Sequence, residues 1–136
     1  MKINWNKKLP GYNLQEILIV LAIIGILLLI ALPNLMPLIA KTKSTEAQTQ
    51  LKAIYNAQTM HRYMYSKYSN EFETIDFEAP KTILEDGPAF YSYEIIKANN
   101  TGFVARATAV DDFDGDGVFN VWEIDENGVP TQKIKD

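Results

Sequence analysis

Sixteen uninterrupted apolar residues, 17–32, follow a single carboxylate, Glu16, in the run KKLPGYNLQEILIVLAIIGILLLIALPNLMPLIAK. The run alone rises about 24 Å as a helix, and the stretch 14–40, interrupted only by Gln15, Glu16 and Asn34, is long enough to cross a hydrocarbon core of about 30 Å. No soluble domain of this size needs such a segment, so the chain is organised around a membrane span or a signal sequence. An ionised group at the edge of that span costs free energy and calls for a partner; the plain alternative is a side chain that snorkels to the interface with none.

Lys2, Lys7 and Lys8 precede the span, which by the positive-inside rule puts the N-terminus in the cytoplasm and the rest across the membrane, although Lys41 and Lys43 reduce the asymmetry. A secretory signal peptide would end in a small-residue cleavage site. Only Leu38-Ile39-Ala40 follows the apolar core, a poor match, so the segment is read as retained. Pro33 and Pro37 each remove a backbone donor and crowd the preceding turn, predicting a bend or local unwinding there.

A short basic leader ending in Gly11, then an aromatic Tyr12, Glu16 five residues after the glycine, and an aliphatic helix together resemble the class III signal of type IV pilins and type II secretion pseudopilins. The resemblance covers residues 7–40. It implies cleavage by a prepilin peptidase between Gly11 and Tyr12, with methylation of the new N-terminus at Tyr12. It also implies an assembly role for Glu16, Gly25 and Pro33, the last two matching positions where such proteins commonly have glycine and proline. Tyr12 in place of phenylalanine, and Asn13 and Gln15 in place of threonine and an aliphatic residue, depart from the usual pattern. Cleavage would create an ammonium at Tyr12, which the Glu16 carboxylate of a neighbouring subunit can pair with in a shared apolar environment, setting axial register. The domains expected are a leader (1–11), a transmembrane and polymerisation helix (12–40), an amphipathic continuation (41–68), and a connecting loop with an antiparallel sheet (69–136).

The remainder is one small module. With 136 residues and no cysteine, the chain has no disulfide framework, which makes a metal staple more attractive. Its formal charge of −4 is unevenly divided: residues 41–70 carry five basic groups against Glu46, while residues 71–136 hold fifteen acids against five bases. That acidic face disfavours a nucleic-acid partner. Ala47, Leu51, Ile54, Ala57, His61, Met64 and Tyr68 recur every three or four residues, an amphipathic stripe to about residue 66 that a sheet should cover. His61 on this stripe reads as a packed or capped core residue rather than a ligand or base, and Tyr63 to Tyr68 as core and helix-end packing, with a surface contact patch as the alternative.

Residues 69–88, punctuated by Asn70, Asp76, Pro80, Asp86, Gly87 and Pro88, read as a loop anchored by Phe72, Ile75, Phe77 and Ile83. Strands are expected at 90–97, 103–110, 118–124 and 129–134. The fold class is α+β, a long N-terminal hydrophobic helix with a small antiparallel sheet, the pilin arrangement.

DFDGDGVFNVWE, residues 112–123, places Asp112, Asp114 and Asp116 at alternate positions, Gly117 sixth, Asn120 ninth and Glu123 twelfth, the oxygen spacing of an EF-hand calcium loop. The flanks favour strands rather than helices, so a strand-loop-strand calcium site is expected. Its ligands would be Asp112, Asp114, Asp116 and the Val118 carbonyl, with Glu123, Asp111 or Asp125 completing it; the alternative is an exposed Asp-Gly turn. No enzyme constellation is present, since there is no cysteine, no phosphate-binding glycine loop, and the one histidine lies on the helical stripe.

The expected function is a structural subunit, processed by prepilin peptidase, held in the bacterial inner membrane with its C-terminal domain outside, and assembled through its helix with copies of itself and minor subunits at an inner-membrane platform. The absence of cysteine and the Asp-rich loop lean toward a pseudopilus over a pilus. The competing reading is a membrane-anchored calcium-binding module that never polymerises.

Overall fold

A computed structural model describes residues 1–2, 8 and 10–136; Lys7 of the basic leader lies outside the described residues. The chain divides into two units, residues 1–35 and 36–136.

In the first unit, helix α1 spans Leu14–Ala31, and none of its residues is buried. Its aliphatic side chains face outward on every side, as a helix apolar all round must unless lipid or another protein covers it. Leu14–Asn34 is the one candidate membrane span among the described residues. The α-helical pattern gives way at Leu32–Asn34 to a 3-10 turn, with Pro33 at its start and the Leu35 N–H bonding the Leu32 carbonyl at 3.2 Å. The unwinding expected at Pro33 therefore takes the form of one tightened turn.

In the second unit, helix α2 (Met36–Tyr65) carries Pro37 in its first turn, where a missing N–H costs nothing. Strands β1 (Tyr91–Ala98), β2 (Phe103–Ala109), β3 (Val121–Asp125) and β4 (Thr131–Ile134) form an antiparallel meander in the order β1-β2-β3-β4. Alternation decides which face of β2 is covered: Phe103, Ala105, Ala107 and Ala109 point inward and are buried. The three alanines leave room for Ala47, Leu51 and Ile54 of α2, each fully buried in the same cluster as Tyr91, Tyr93 and Ile124.

The stripe on α2 shifts from the expected one toward its C-terminal end. Gln58 rather than Ala57 is fully buried, and Met64 is exposed because α2 ends one residue later, past the sheet's cover. Gln58 is tolerated there because its amide makes both its bonds to one residue, donating to the Ser69 carbonyl at 2.7 Å and accepting the Ser69 N–H at 2.9 Å. His61 is buried, with its Nδ1–H donated to the Lys67 carbonyl at 2.8 Å, as a packed residue of the stripe. Tyr68 packs on Phe103, but Tyr63 and Tyr65 are exposed, so the tyrosine run is not a packed cluster throughout. In the loop, Ile75 is buried and Phe72 packs on Phe77, whereas the Ile83 side chain is outside the buried core and the residue is tied by its N–H to the Ala89 carbonyl at 2.8 Å.

Candidate functional site

Two places carry chemistry, one in each unit. At the start of α1, Glu16 sits in the first turn and accepts the Asn13 backbone N–H through Oε2 at 3.0 Å. A carboxylate there is favoured both by this bond and by the partial positive charge of the helix N-terminus. Gly11 and Tyr12 precede the helix, and Tyr12 is exposed. A side chain added at Gly25 would meet nothing within 4 Å beyond the adjacent backbone of its own helix, so packing within the described residues does not require a glycine there.

The second place is the loop between β2 and β3. Asp112 anchors its geometry, with Oδ1 accepting the Gly115 N–H and Oδ2 the Gly117 N–H, each at 2.6 Å. Asp114 accepts the Asp116 N–H at 3.1 Å, and Asp116 the Val118 N–H at 2.7 Å. Gly117 holds φ +86°, the left-handed conformation the sharp turn at the sixth loop position demands. The Gly117 N–H above all, with the other backbone donors, holds the Asp112 carboxyl below its usual range. For Asp114 the Asp116 N–H is the largest influence and lowers it, yet desolvation with the charges of Asp116, Asp136 and Asp112 pushes it up overall.

One oxygen each from Asp112, Asp114, Asp116 and Asp136 lie within 4.8 Å of one another. Asp136 is brought in from beyond β4, where its Oδ2 accepts the Phe113 N–H at 2.8 Å while Oδ1 is buried without a donor. A hard-oxygen set of four carboxylates with one orphaned acceptor suits a calcium-sized cation. Nothing in the 112–123 spacing marks Asp136; only the return of the β3–β4 hairpin brings it here.

The other sequence candidates are engaged elsewhere. Glu123 lies on the solvent face of the sheet, where its Oε1 accepts both the Arg106 Nε–H at 2.9 Å and a terminal guanidinium N–H at 2.7 Å. The strand β3 turns it away from the loop, so the residue at the twelfth position does not join the carboxylates gathered there. Asp111 pairs with Lys43 at 3.4 Å, and Asp125 accepts the Asn127 N–H at 2.9 Å. Val118 belongs to the loop and not to β3, whose pairing begins at Val121. Asn120 is buried and accepts the Tyr91 hydroxyl at 3.1 Å, so the ninth loop position faces the core.

The loop is fastened from behind. The Lys43 ammonium lies over the rings of Phe90 and Phe113 at 4.6 and 4.5 Å, and Phe113 meets Tyr91 edge-on. Glu46 of α2 accepts the Phe90 N–H and the Tyr93 hydroxyl, each at 3.0 Å. These polar ties between α2 and β1 have no periodic signature in sequence.

No family model matches the chain. It is 44% identical over 70 residues to the type IV major pilin protein PilA of Myxococcus xanthus, a stretch covering 49% of this chain and 32% of that protein. The likeness to pilins read from residues 7–40 and the α+β arrangement thus stand together with a curated pilin relative, and the chain spans about a third of that relative's length.

Proposed function

We propose that this chain is a pilin-type structural subunit that is cut between Gly11 and Tyr12, methylated at Tyr12, held in the inner membrane by α1 with its N-terminus in the cytoplasm, and polymerised through that helix into a type IV pilus. The observation that carries this is α1: an apolar helix with no buried residue and a lone carboxylate in its first turn. Such a surface is stable only in lipid or against other apolar helices. In a lone lipid anchor Glu16 would do no more than cap its own helix, whereas in a bundle of processed subunits the Glu16 carboxylate can also meet the Tyr12 ammonium of a neighbour. Gly25, with open space where a side chain would stand, permits close approach of a second helix. The similarity to a type IV major pilin favours a pilus over a pseudopilus. The role is structural, and prepilin peptidase, the assembly platform and minor subunits are the partners the reading requires.

The Asp112, Asp114, Asp116 and Asp136 carboxylates would hold calcium, which would neutralise their mutual repulsion and brace the loop against β4.

The deciding measurement is the intact mass and N-terminal sequence of the protein from its native membrane, beside a Gly11→Ala variant. A chain beginning at methylated Tyr12, and failure of the variant to be processed, are the expected results. A chain that still begins at Met1, or one that starts beyond residue 40, would sink the reading.

A further inference from the structure

The solvent face of the sheet carries a row of alternating charge with one group from each strand, and in the next row Lys97 on β1 and Asp125 on β3 flank Val104. Glu94 on β1, Arg106 on β2 and Glu123 on β3 are directly opposed in register, and Lys133 on β4 reaches Glu123 at 3.8 Å. Arg106 spends its short bonds on Glu123, at 2.7 Å, and stands 3.9 Å from Glu94. The two inner charges are therefore the more fully engaged, while the two end charges make only these long contacts and stay open to solvent: the Glu94 side chain is 63% exposed and that of Lys133 is 50% exposed. Both lie on edge strands, and neither β1 nor β4 has a second strand neighbour among the described residues.

We propose that these edges are a contact between copies of this chain, with β4 of one copy set beside β1 of the next and Lys133 paired to the neighbour's Glu94; this rests on the filament reading. Two features converge on a second copy as the occupant. The order of signs, negative to positive from β1 to β4, continues without a break when the next β1 follows. With four antiparallel strands, a copy in the same orientation presents a β1 antiparallel to β4, so the meander also continues. A contact between two different edges is heterologous, and it generates an open polymer where its rotation does not close a ring. The regular register from Tyr91 to Ile95 leaves Glu94 on a straight part of its edge, and Lys133, at the irregularity of β4, is held on the ladder's face by Glu123.

The test uses full-length protein in its assembling host. Lys133→Glu and Glu94→Lys should each lower filament yield about fivefold, the scale of an exposed ion pair turned to repulsion, and the two together should restore it. Because the chain has no cysteine, Lys133→Cys combined with Glu94→Cys should give a ladder of covalent oligomers in oxidised filaments, and neither single variant should extend beyond a dimer. Reversals that are silent or additive, or a double-cysteine filament that stays monomeric on denaturation, would overturn the contact alone. Failure of the unsubstituted chain to form filaments would overturn the filament reading and the contact together.

Discussion

Within the described chain the Glu16 carboxylate accepts the Asn13 N–H, and glutamine offers the same acceptor without the charge. If pairing with a neighbour's ammonium drives assembly, Glu16→Gln should fail as completely as Glu16→Ala, because breaking one side of a buried pair costs about 3–5 kcal/mol. Filament yield and the membrane-held pool, measured together, should show filaments lost and the pool kept; normal filaments from the glutamine variant would mean that capping is the residue's whole task. Glu16 was legible from sequence because it is the last charge before an unbroken apolar run. Glu46 and Gln58 were not, since each is an ordinary polar residue on a helix until the partner that satisfies it is placed beside it. Gly128 was also hidden. At φ +77° it lies against Tyr55, and an added Cβ would stand 2.7 Å from the ring. Gly128→Ala should therefore cost roughly 2–3 kcal/mol through backbone strain and overpacking, read as a lowered melting temperature.

At the scale of elements, α1 and the four strands follow from periodicity, and the strand positions differ from expectation only at their ends. The largest difference is at β3, where the residues after Gly117 have strand-forming side chains but remain in the loop, because Asn120 is drawn inward to Tyr91. The joint between α2 and β1 was not legible, although it supplies a testable property. Burial pushes the Tyr91 hydroxyl up to about 12, the Ser44 hydrogen bond opposing and the charges of Glu46 and Asp136 adding to it. Tyr93 is raised further in the same direction, by burial first and then by Glu46. For an acid whose folded pKa lies above its unfolded one, the folded state holds the proton longer. The stabilisation is complete below the unfolded value near 10 and is lost as pH climbs from there through the folded value. Melting temperature should thus fall steeply above about pH 10, and Tyr93→Phe should make that fall shallower. An identical alkaline slope in the variant would show that Tyr93 does not limit alkaline stability.

For the whole molecule, the Asp-rich loop is where local and distant sequence meet. Three of its carboxylates were legible because they lie two residues apart. The fourth, Asp136, is brought there by the β3–β4 hairpin, while the alternation of β3 sends Glu123 to the opposite face, onto Arg106. A cation there would join the β2–β3 connection to the segment after β4, so its binding free energy would add to the stability of the sheet. At free calcium one hundred times the dissociation constant, a site present only in the folded state adds about 2.7 kcal/mol, a rise in melting temperature on the order of 10 °C for a unit of this size. Purified full-length protein in detergent should therefore melt higher in calcium than in chelator. The variants locate the effect: Asp112→Asn and Asp136→Asn should abolish the difference, while Glu123→Gln should lower stability in both conditions and leave the difference intact. Loss of the calcium response in Glu123→Gln alone would restore the twelfth-position ligand that the spacing suggests, and equal melting of the unsubstituted protein with and without calcium would leave the loop as an exposed turn held by its own backbone donors.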